Sequence, residues 1–318
     1  MLIAGVSIIL AIWCASALGQ TYPAKPVRVL VGFPAGAGVD ITMRLVTAKL
    51  SESMGRAFLV DNRPGAAGNI SVEVAARAAP DGYTLLGMTA AAAVSQSAYS
   101  KVPVNLARDI TPIALIASAP FYIAVHPSVP ARSLKGLIAL AKTKPRQLSY
   151  STPGTASSPH LAMELLETET GIDLLHVPYK GTVPAIADTI AGNVSMTIAN
   201  ALTALPAIKS GRLRPIAVTS LKRSASAPEI PTVAESGIKG FDAGTWYALA
   251  APAGVPGDIV TRLNRAVVEV VQLPDIREKL LAQGAAPLTA TPDEAREFVR
   301  NEIARWARVV KAAGIRLD

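Results

Sequence analysis

From position 27 onward, short runs of β-branched and aliphatic residues alternate with stretches whose apolar positions recur every three or four residues. The first kind suits a strand buried on both faces and the second an amphipathic helix. The alternation predicts strand–helix pairs at 27–31 and 41–54, 58–60 and 70–78, and 84–88 and 92–99. A second series follows the apolar run 121–125: helix 134–143, strand 149–151, helix 160–168, strand 174–177, helix 183–190, strand 195–198, helix 202–209 and strand 213–218. Such alternation means parallel sheet with flanking helices, so the chain reads as α/β. After an extended run at 245–251 the pattern turns helical. Pro256 opens a helix to 271, another spans 275–282, and Thr291-Pro-Asp-Glu294 is a capping box before a long amphipathic run. The expected organisation is lobe 1 over 20–120, lobe 2 over 121–246, and a helical return to lobe 1 over 247–318. Strands at 116–125 and 246–251 would cross between them as a two-strand hinge.

Two strand-to-helix loops carry the candidate chemistry. The first, Gly32-Phe-Pro-Ala-Gly-Ala-Gly-Val-Asp40, is built of small residues that leave backbone amides bare. Amides at a helix start lack intrahelical partners and lie at the positive end of the dipole, which suits an anion. A tight turn alone would also explain Gly36 and Gly38. Neither nucleotide fingerprint fits, because the loop lacks both the Lys-Ser/Thr pair and the dinucleotide spacing. Asp40 either caps the helix or faces a cleft and accepts from a ligand. The second loop, Ser149-Tyr-Ser-Thr-Pro-Gly-Thr-Ala-Ser-Ser-Pro-His160, offers the hydroxyls of Ser151, Thr152, Thr155, Ser157 and Ser158, with Gly154 among them. These can hold carboxylate oxygens directly or through water. Ser158 before Pro159 also reads as a helix cap. Two such loops, one per lobe, suggest a clamp.

Other side chains add less. The three histidines, His126, His160 and His176, are not spaced as metal ligands, and no glycine-flanked serine elbow is present. His160 is the best placed of them, as a ligand contact or as a packed residue at a helix start. A hydrolase using Ser157 or Ser158 with His160 is the rival reading, and it has no placed acid partner. Tyr179-Lys180-Gly181 follows a strand and opens a helix, where Lys180 attracts a carboxylate or is simply solvated. Trp246 and Tyr247, in the crossing, wall a cleft or fill the core between lobes. Asn200 ends a strand and can donate to a ligand.

The apolar, uncharged run 1–19 ends in Ala15-Ser-Ala-Leu-Gly19, as a secretory signal cleaved near Gln20 does, although a positive n-region is missing. The only cysteine, Cys14, lies within it. A mature chain without cysteine has no disulfide, cysteine-type zinc site or thiol nucleophile. With 31 Lys+Arg against 23 Asp+Glu the net charge is +8, which raises the question of nucleic acid. The basic residues are scattered and aromatics are only 5%, so there is neither a basic stripe nor a stacking platform. A diffuse positive field draws small anions or merely keeps the surface soluble.

Six segments occur here in the order seen in one family: Phe33-Pro-Ala-Gly-Ala-Gly-Val-Asp40, Asp61-Asn-Arg-Pro-Gly-Ala-Ala-Gly-Asn-Ile70, Pro80-Asp-Gly-Tyr-Thr-Leu85, Ser157-Ser-Pro-His160, His176-Val-Pro-Tyr-Lys-Gly181 and Pro231-Thr-Val-Ala-Glu235. The chain resembles the Bug/TctC periplasmic solute-binding proteins of tripartite tricarboxylate transporters over nearly all of its length after the leader. It departs at Ala37, where the family usually has a second glycine, and at Ala199, where an acidic residue commonly precedes Asn200. The latter fits a pocket less suited to an amine-bearing solute. The resemblance implies a two-lobed periplasmic binding protein fold of the type II kind. It also implies capture of a small organic carboxylate for membrane transporter subunits, or for a sensor, by a periplasmic monomer without cofactor, metal or nucleic acid. The implied ligand contacts are Phe33, Ala35, Gly36, Ala37, Gly38 and Asp40 in the first lobe. From the second come Ser151, Gly154, Thr155, Ala156, Ser157, Ser158, His160, Tyr179, Lys180 and Asn200, with Trp246 from the crossing.

Overall fold

The computed structural model describes residues 22–312 and Gly314, so the leader expected over 1–19 lies outside the described residues. Strands β1 (Val27–Val31), β2 (Phe58–Asn62) and β3 (Thr84–Thr89) are parallel, with β1 between the other two. Helices α1 (Gly38–Met54), α2 (Asn69–Ala76) and α3 (Ala90–Ala98) follow them in turn. After the single turn α4 (Leu106–Asp109), the 16-residue β4 (Ile110–Val125) runs through the whole molecule. It is rich in Ala and Ile and mostly buried, as a strand covered on both faces must be.

The second set comprises α5 (Leu134–Thr143), β5 (Ser149–Thr152), α6 (Ser158–Thr170), β6 (Leu175–Pro178), α7 (Thr182–Ile190), β7 (Met196–Asn200), α8 (Ala201–Lys209) and β8 (Arg214–Val218). The chain then returns through β9 (Gly244–Pro252), α9 (Gly257–Gln272), α10 (Pro274–Ala282), the two-residue β10 (Ala286–Pro287) and α11 (Pro292–Ala312). All ten strands form one curled sheet in the order β2-β1-β3-β9-β4-β7-β5-β6, with β8 and β10 also paired to β4. The first part of β4 pairs with β9 from Ile110 to Pro120, and its last five residues pair with β7. We place the lobe boundary where this pairing changes, at Pro120/Phe121, with the return at the start of β9 near Gly244. Trp246 and Tyr247 then both lie in the sheet of lobe 1.

The apolar stripe Val260, Leu263, Val267, Val270 and Val271 seats α9 on α1 and β4. The capping box forms as expected: the Thr291 amide donates to Glu294 Oε2 and the Glu294 amide to Thr291 Oγ1. The tail was expected on lobe 1 alone, yet α11 packs on α3 and β4 and also reaches α6 of lobe 2. Accordingly one apolar cluster runs unbroken from Leu30 and Met88 through Phe121 and Trp246 to Tyr150 and Trp306. Thus α11 braces the crossing from outside. Among the described residues, no helix is long and apolar enough to cross a membrane.

Candidate ligand cleft

The first loop is shorter than its sequence suggests, because α1 begins at Gly38 rather than near residue 41. Small residues are compatible with a first helical turn, and Ala37 is the N-cap. An alanine has no side chain to cap with, so the first-turn amides are left to water or a ligand. Asp40 is not the cap; it sits in the first turn, buried. Its carboxylate accepts from the Gly36 amide at 3.0 Å, Arg44 Nε at 3.0 Å and Asn62 Nδ2 at 2.8 Å. Asn62 also donates to the Phe33 carbonyl at 3.0 Å. Burial would raise the Asp40 carboxyl, but these hydrogen bonds and the Arg44 charge outweigh it and hold it below the ordinary carboxylate value. One acid thus clasps the loop, α1 and β2 together.

The second loop is held by neutral groups. The N-cap of α6 is Ser157 rather than Ser158, which is the first helical residue ahead of Pro159. The Ser157 hydroxyl turns back to donate to the Gly154 carbonyl at 2.6 Å, so it caps nothing and α6 also starts without a side-chain cap. Ser151 is fully buried and shares a 2.9 Å bond with Thr189 Oγ1. His160 is packed: its Nδ1 accepts from the Ala156 amide at 3.2 Å, and its Nε2 faces Glu164 Oε1 at 3.2 Å. Its ring stacks on His176 with centroids 4.0 Å apart, and His176 Nε2 bonds Thr152 Oγ1 at 2.6 Å. Burial, then repulsion from His160, pushes His176 down to about 3, so this ring is neutral at ordinary pH.

Between the loops lies a cleft of two joined chambers. The deep chamber, ≈ 60 Å³, is lined by Phe33, Ala37, Gly38, Val39, Thr89, Phe121, Pro153, Ser157, Ser158, Pro159, Thr182, Asn200, Thr245 and Tyr247. Measured against ~30 Å³ for one water, that is room for a head group rather than a whole ligand. The outer chamber, ≈ 590 Å³, shares Phe33, Pro153 and Ser157 with it and extends to loop 64–68, Tyr99, Gly154, Thr155 and 178–181. The deep lining contains no carboxylate, ammonium, guanidinium or imidazole. Tyr247 is raised by burial and stays a neutral phenol. Lys180, exposed, is the one charged residue lining the outer chamber.

Helix starts supply the polarity instead. Those of α1, α6 and α7 carry no side-chain cap, and α7 follows Gly181. The starts of α3 and α8 are capped, by Thr89 and Asn200. Asn200 Oδ1 accepts from the Thr203 amide at 3.2 Å and Thr203 Oγ1 at 2.9 Å. That fixes the amide so that Nδ2 faces Gly38: a Cβ on Gly38 would lie 2.7 Å from it and would also meet Tyr247 Oη. A small negative head there meets neutral donors and positive helix ends.

Of the expected contacts, Phe33, Ala37, Gly38, Gly154, Thr155, Ser157, Ser158, Tyr179, Lys180 and Asn200 line the cleft. Ala35 is exposed beside it, while Gly36, Asp40, Ser151, Ala156 and His160 shape the loops from behind. Trp246 does not wall the cleft. Its indole donates to Glu302 Oε2 at 2.8 Å and packs edge-on against Phe298 of α11. Successive strand residues face opposite ways, so Tyr247, not Trp246, points to Gly38. Thr89, Phe121, Thr182 and Thr245 went unread, although Thr89 ends a strand and opens a helix as the two chosen loops do.

Together, the fold and the cleft define a two-lobed solute-binding protein. The family model described as "Tripartite tricarboxylate transporter family receptor" matches residues 42–315. Protein BugT of Bordetella pertussis is 37% identical over 98% of this chain and 97% of its own. The solved structure of R. palustris Rpa4515 with adipate superposes with a TM-score of 0.89 at 37% identity, covering 93% of this chain and 100% of that one. MatC from Rhodopseudomonas palustris with bound malate gives 0.85 at 29% identity, covering 91% and 100%. The chain belongs to the tripartite tricarboxylate transporter receptor family, whose members are periplasmic binding proteins.

Proposed function

We propose that this protein captures a small organic carboxylate between its lobes in the periplasm and delivers it to the membrane subunits of a tripartite transporter. The observation that carries the reading is the uncharged deep chamber, on which the uncapped starts of α1 and α6 converge from opposite lobes. A carboxylate head gains charge–dipole and hydrogen-bond stabilisation there, and closure of the lobes around it is a shift of population toward the shut form. The relatives solved with adipate and malate support the ligand class. Binding rather than chemistry is favoured because the serine and histidine of the rival reading are spent on structure: Ser157 donates to Gly154 and His160 accepts from Ala156. The other hydroxyl–imidazole pairs, Thr152–His176 and Ser128–His126, lie outside the lining of both chambers.

The test is a thermal-shift and calorimetric panel of mono-, di- and tricarboxylic acids against their uncharged amides. A ligand at a hundred times its dissociation constant should add ~2.7 kcal/mol of stability. Acids should stabilise and amides should not. Stabilisation by amides or sugars with no effect of any acid would overturn the reading.

A further inference from the structure

The strand pair that joins the lobes has two faces. Paired residues of an antiparallel ladder share a face, and successive residues alternate. The register Ser118↔Trp246 and Pro120↔Gly244 puts those four on one face, and Ala117↔Tyr247 and Ala119↔Thr245 put theirs on the other. Tyr247 borders the ligand cleft. Ser118, Pro120, Gly244 and Trp246 border a second cavity of ≈ 560 Å³, which Ala119 also reaches from the other face, and Thr245 alone borders both. Each lobe supplies a wall of this back cavity. Leu281, Ala285 and Phe298 come from lobe 1, and Ser220, Ala225 and Ser226 from the segment after β8.

On the cleft side the lobes touch. Asn200 Nδ2 stands against Gly38, and a Cβ on Gly181 would lie 3.6 Å from Pro34 Cγ. The lobes also meet at the rim of the back cavity, where Gly284 lies against Ala201 and Ser226, so a shut cleft stands opposite a wide cavity bordered by that contact. We infer that the back cavity is the counter-volume of the cleft: rotation about β4 and β9 that opens one must narrow the other. Bulk placed in the back cavity holds the lobes shut and tightens binding at a site it never touches. The lobe 1 wall is stiff enough to transmit this. Glu302 Oε2 accepts from Trp246 Nε1 at 2.8 Å and Trp306 Nε1 at 3.0 Å, and Glu302 Oε1 from Arg305 Nη1 at 3.2 Å. Arg305 also donates to the Asp242 carbonyl, so α11 grips both the hinge strand and the segment leading into it. Intruding bulk is then relieved by domain rotation rather than by yielding of α11.

The inference rests on the carboxylate reading only for its affinity arm, with adipate as the probe. Ala225, exposed on the lobe 2 wall, is replaced by tryptophan (A225W), and Ala286, exposed on the opposite wall, separately (A286W). Apparent affinity scales with the fraction already shut, so a cleft shut a third to a tenth of the time gains roughly three- to tenfold. Small-angle scattering of the ligand-free variants should show a more compact particle, and adipate should compact them less than the parent. Unchanged ligand-free scattering in both variants overturns the inference, as does an unchanged or weakened adipate affinity in variants that keep the parental melting behaviour. If the parent binds no acid at all, the carboxylate reading fails while ligand-free scattering still decides the coupling.

Discussion

The two jaws of the cleft reach one geometry by different chemistry. In the first jaw, the turn before α1 is made by Gly36 at φ +83°, and a buried carboxylate, Asp40, ties the loop amide to Arg44 and Asn62. In the second, the turn before α6 is made by Ala156 at φ +57°, and a packed imidazole accepts its amide. A left-handed alanine costs about 1–2 kcal/mol, which the His160 bond and full burial of Ala156 offset. The difference shows what a binding loop requires: its inner amides are consumed by a fixed acceptor, so that the helix-start amides alone face the ligand. Whether that acceptor is an acid or an imidazole is secondary. The comparison can be broken most severely at the surface both jaws share, then in each jaw's support.

The largest effect is expected at Gly38. Valine there would push the Tyr247 hydroxyl aside and, through its Cβ 2.7 Å from Asn200 Nδ2, keep the lobes from meeting. Acid binding should fall at least a hundredfold, about 2.7 kcal/mol, by calorimetry. The groups met are side-chain ends, so the melting temperature without ligand should change little. Normal binding by Gly38→Val would reduce the loop to a turn.

Next is the charged support. Asp40→Ala strands the Gly36 amide and one of the two N–H groups of Asn62 Nδ2, and leaves Arg44, which is half exposed, to Asn62 Oδ1 and water. A loss of about 2–3 kcal/mol in denaturant unfolding follows, more than an exposed ion pair could account for. The corresponding change in the second jaw, His160→Ala, strands one backbone amide, that of Ala156, where Asp40→Ala strands an amide and a side-chain donor.

How far these features were legible follows from their physics. The order of strands and helices stood in the hydrophobic periods, and both loops stood in their small residues. Helix starts were missed by a few residues because Gly38 and Ser158 carry no periodic signal. Asn62 was visible only as part of a motif, since its partner Asp40 lies 22 positions away. Trp246 and Tyr247 are equal candidates in the sequence, and strand alternation allows only one of the two to face the ligand, but which one depends on where the sheet stands. His160 and His176 stack only after β5 and β6 pair, which brings Tyr150 opposite His176. The back cavity needs both lobes and has no local signature.

Asp40 and Glu167, one acid of each jaw, titrate in opposite directions, which gives the third test. Asp40 is held ionised, whereas Glu167 on α6 is raised to about 7, chiefly by burial, with Glu164 and Asp173 adding repulsion. A carboxyl whose folded pKa exceeds its unfolded value contributes no penalty below the unfolded value, and its share of stability is lost as pH rises through the folded one. The window is therefore about 4.5 to about 7. Glu167→Gln keeps an oxygen for the Leu174 amide, which donates to Glu167 Oε1 at 2.6 Å. It should be neutral at pH 4 and stabilise by about 2 kcal/mol at pH 8. A stability difference that does not vary with pH would show that folding leaves this carboxyl unshifted.

The smallest expected effect isolates the turn itself by exchanging the two solutions. A Cβ on Gly36 would meet nothing within 4 Å, so Gly36→Ala costs only the left-handed backbone, about 1 kcal/mol. Ala156→Gly removes that same strain from the second jaw and should stabilise by about 0.5 kcal/mol, the lost burial of its methyl and the extra freedom of the unfolded chain returning the rest of the gain. At a few degrees per kcal/mol or less for a chain of this size, the two shifts should be of opposite sign and resolvable by calorimetry. Acid affinity should follow neither, because both residues stand behind the amides that face the ligand. If Ala156→Gly weakens binding while stabilising the fold, the strain at Ala156 is instead part of how the second jaw is pre-set for its ligand, and the two jaws differ in function as well as in construction.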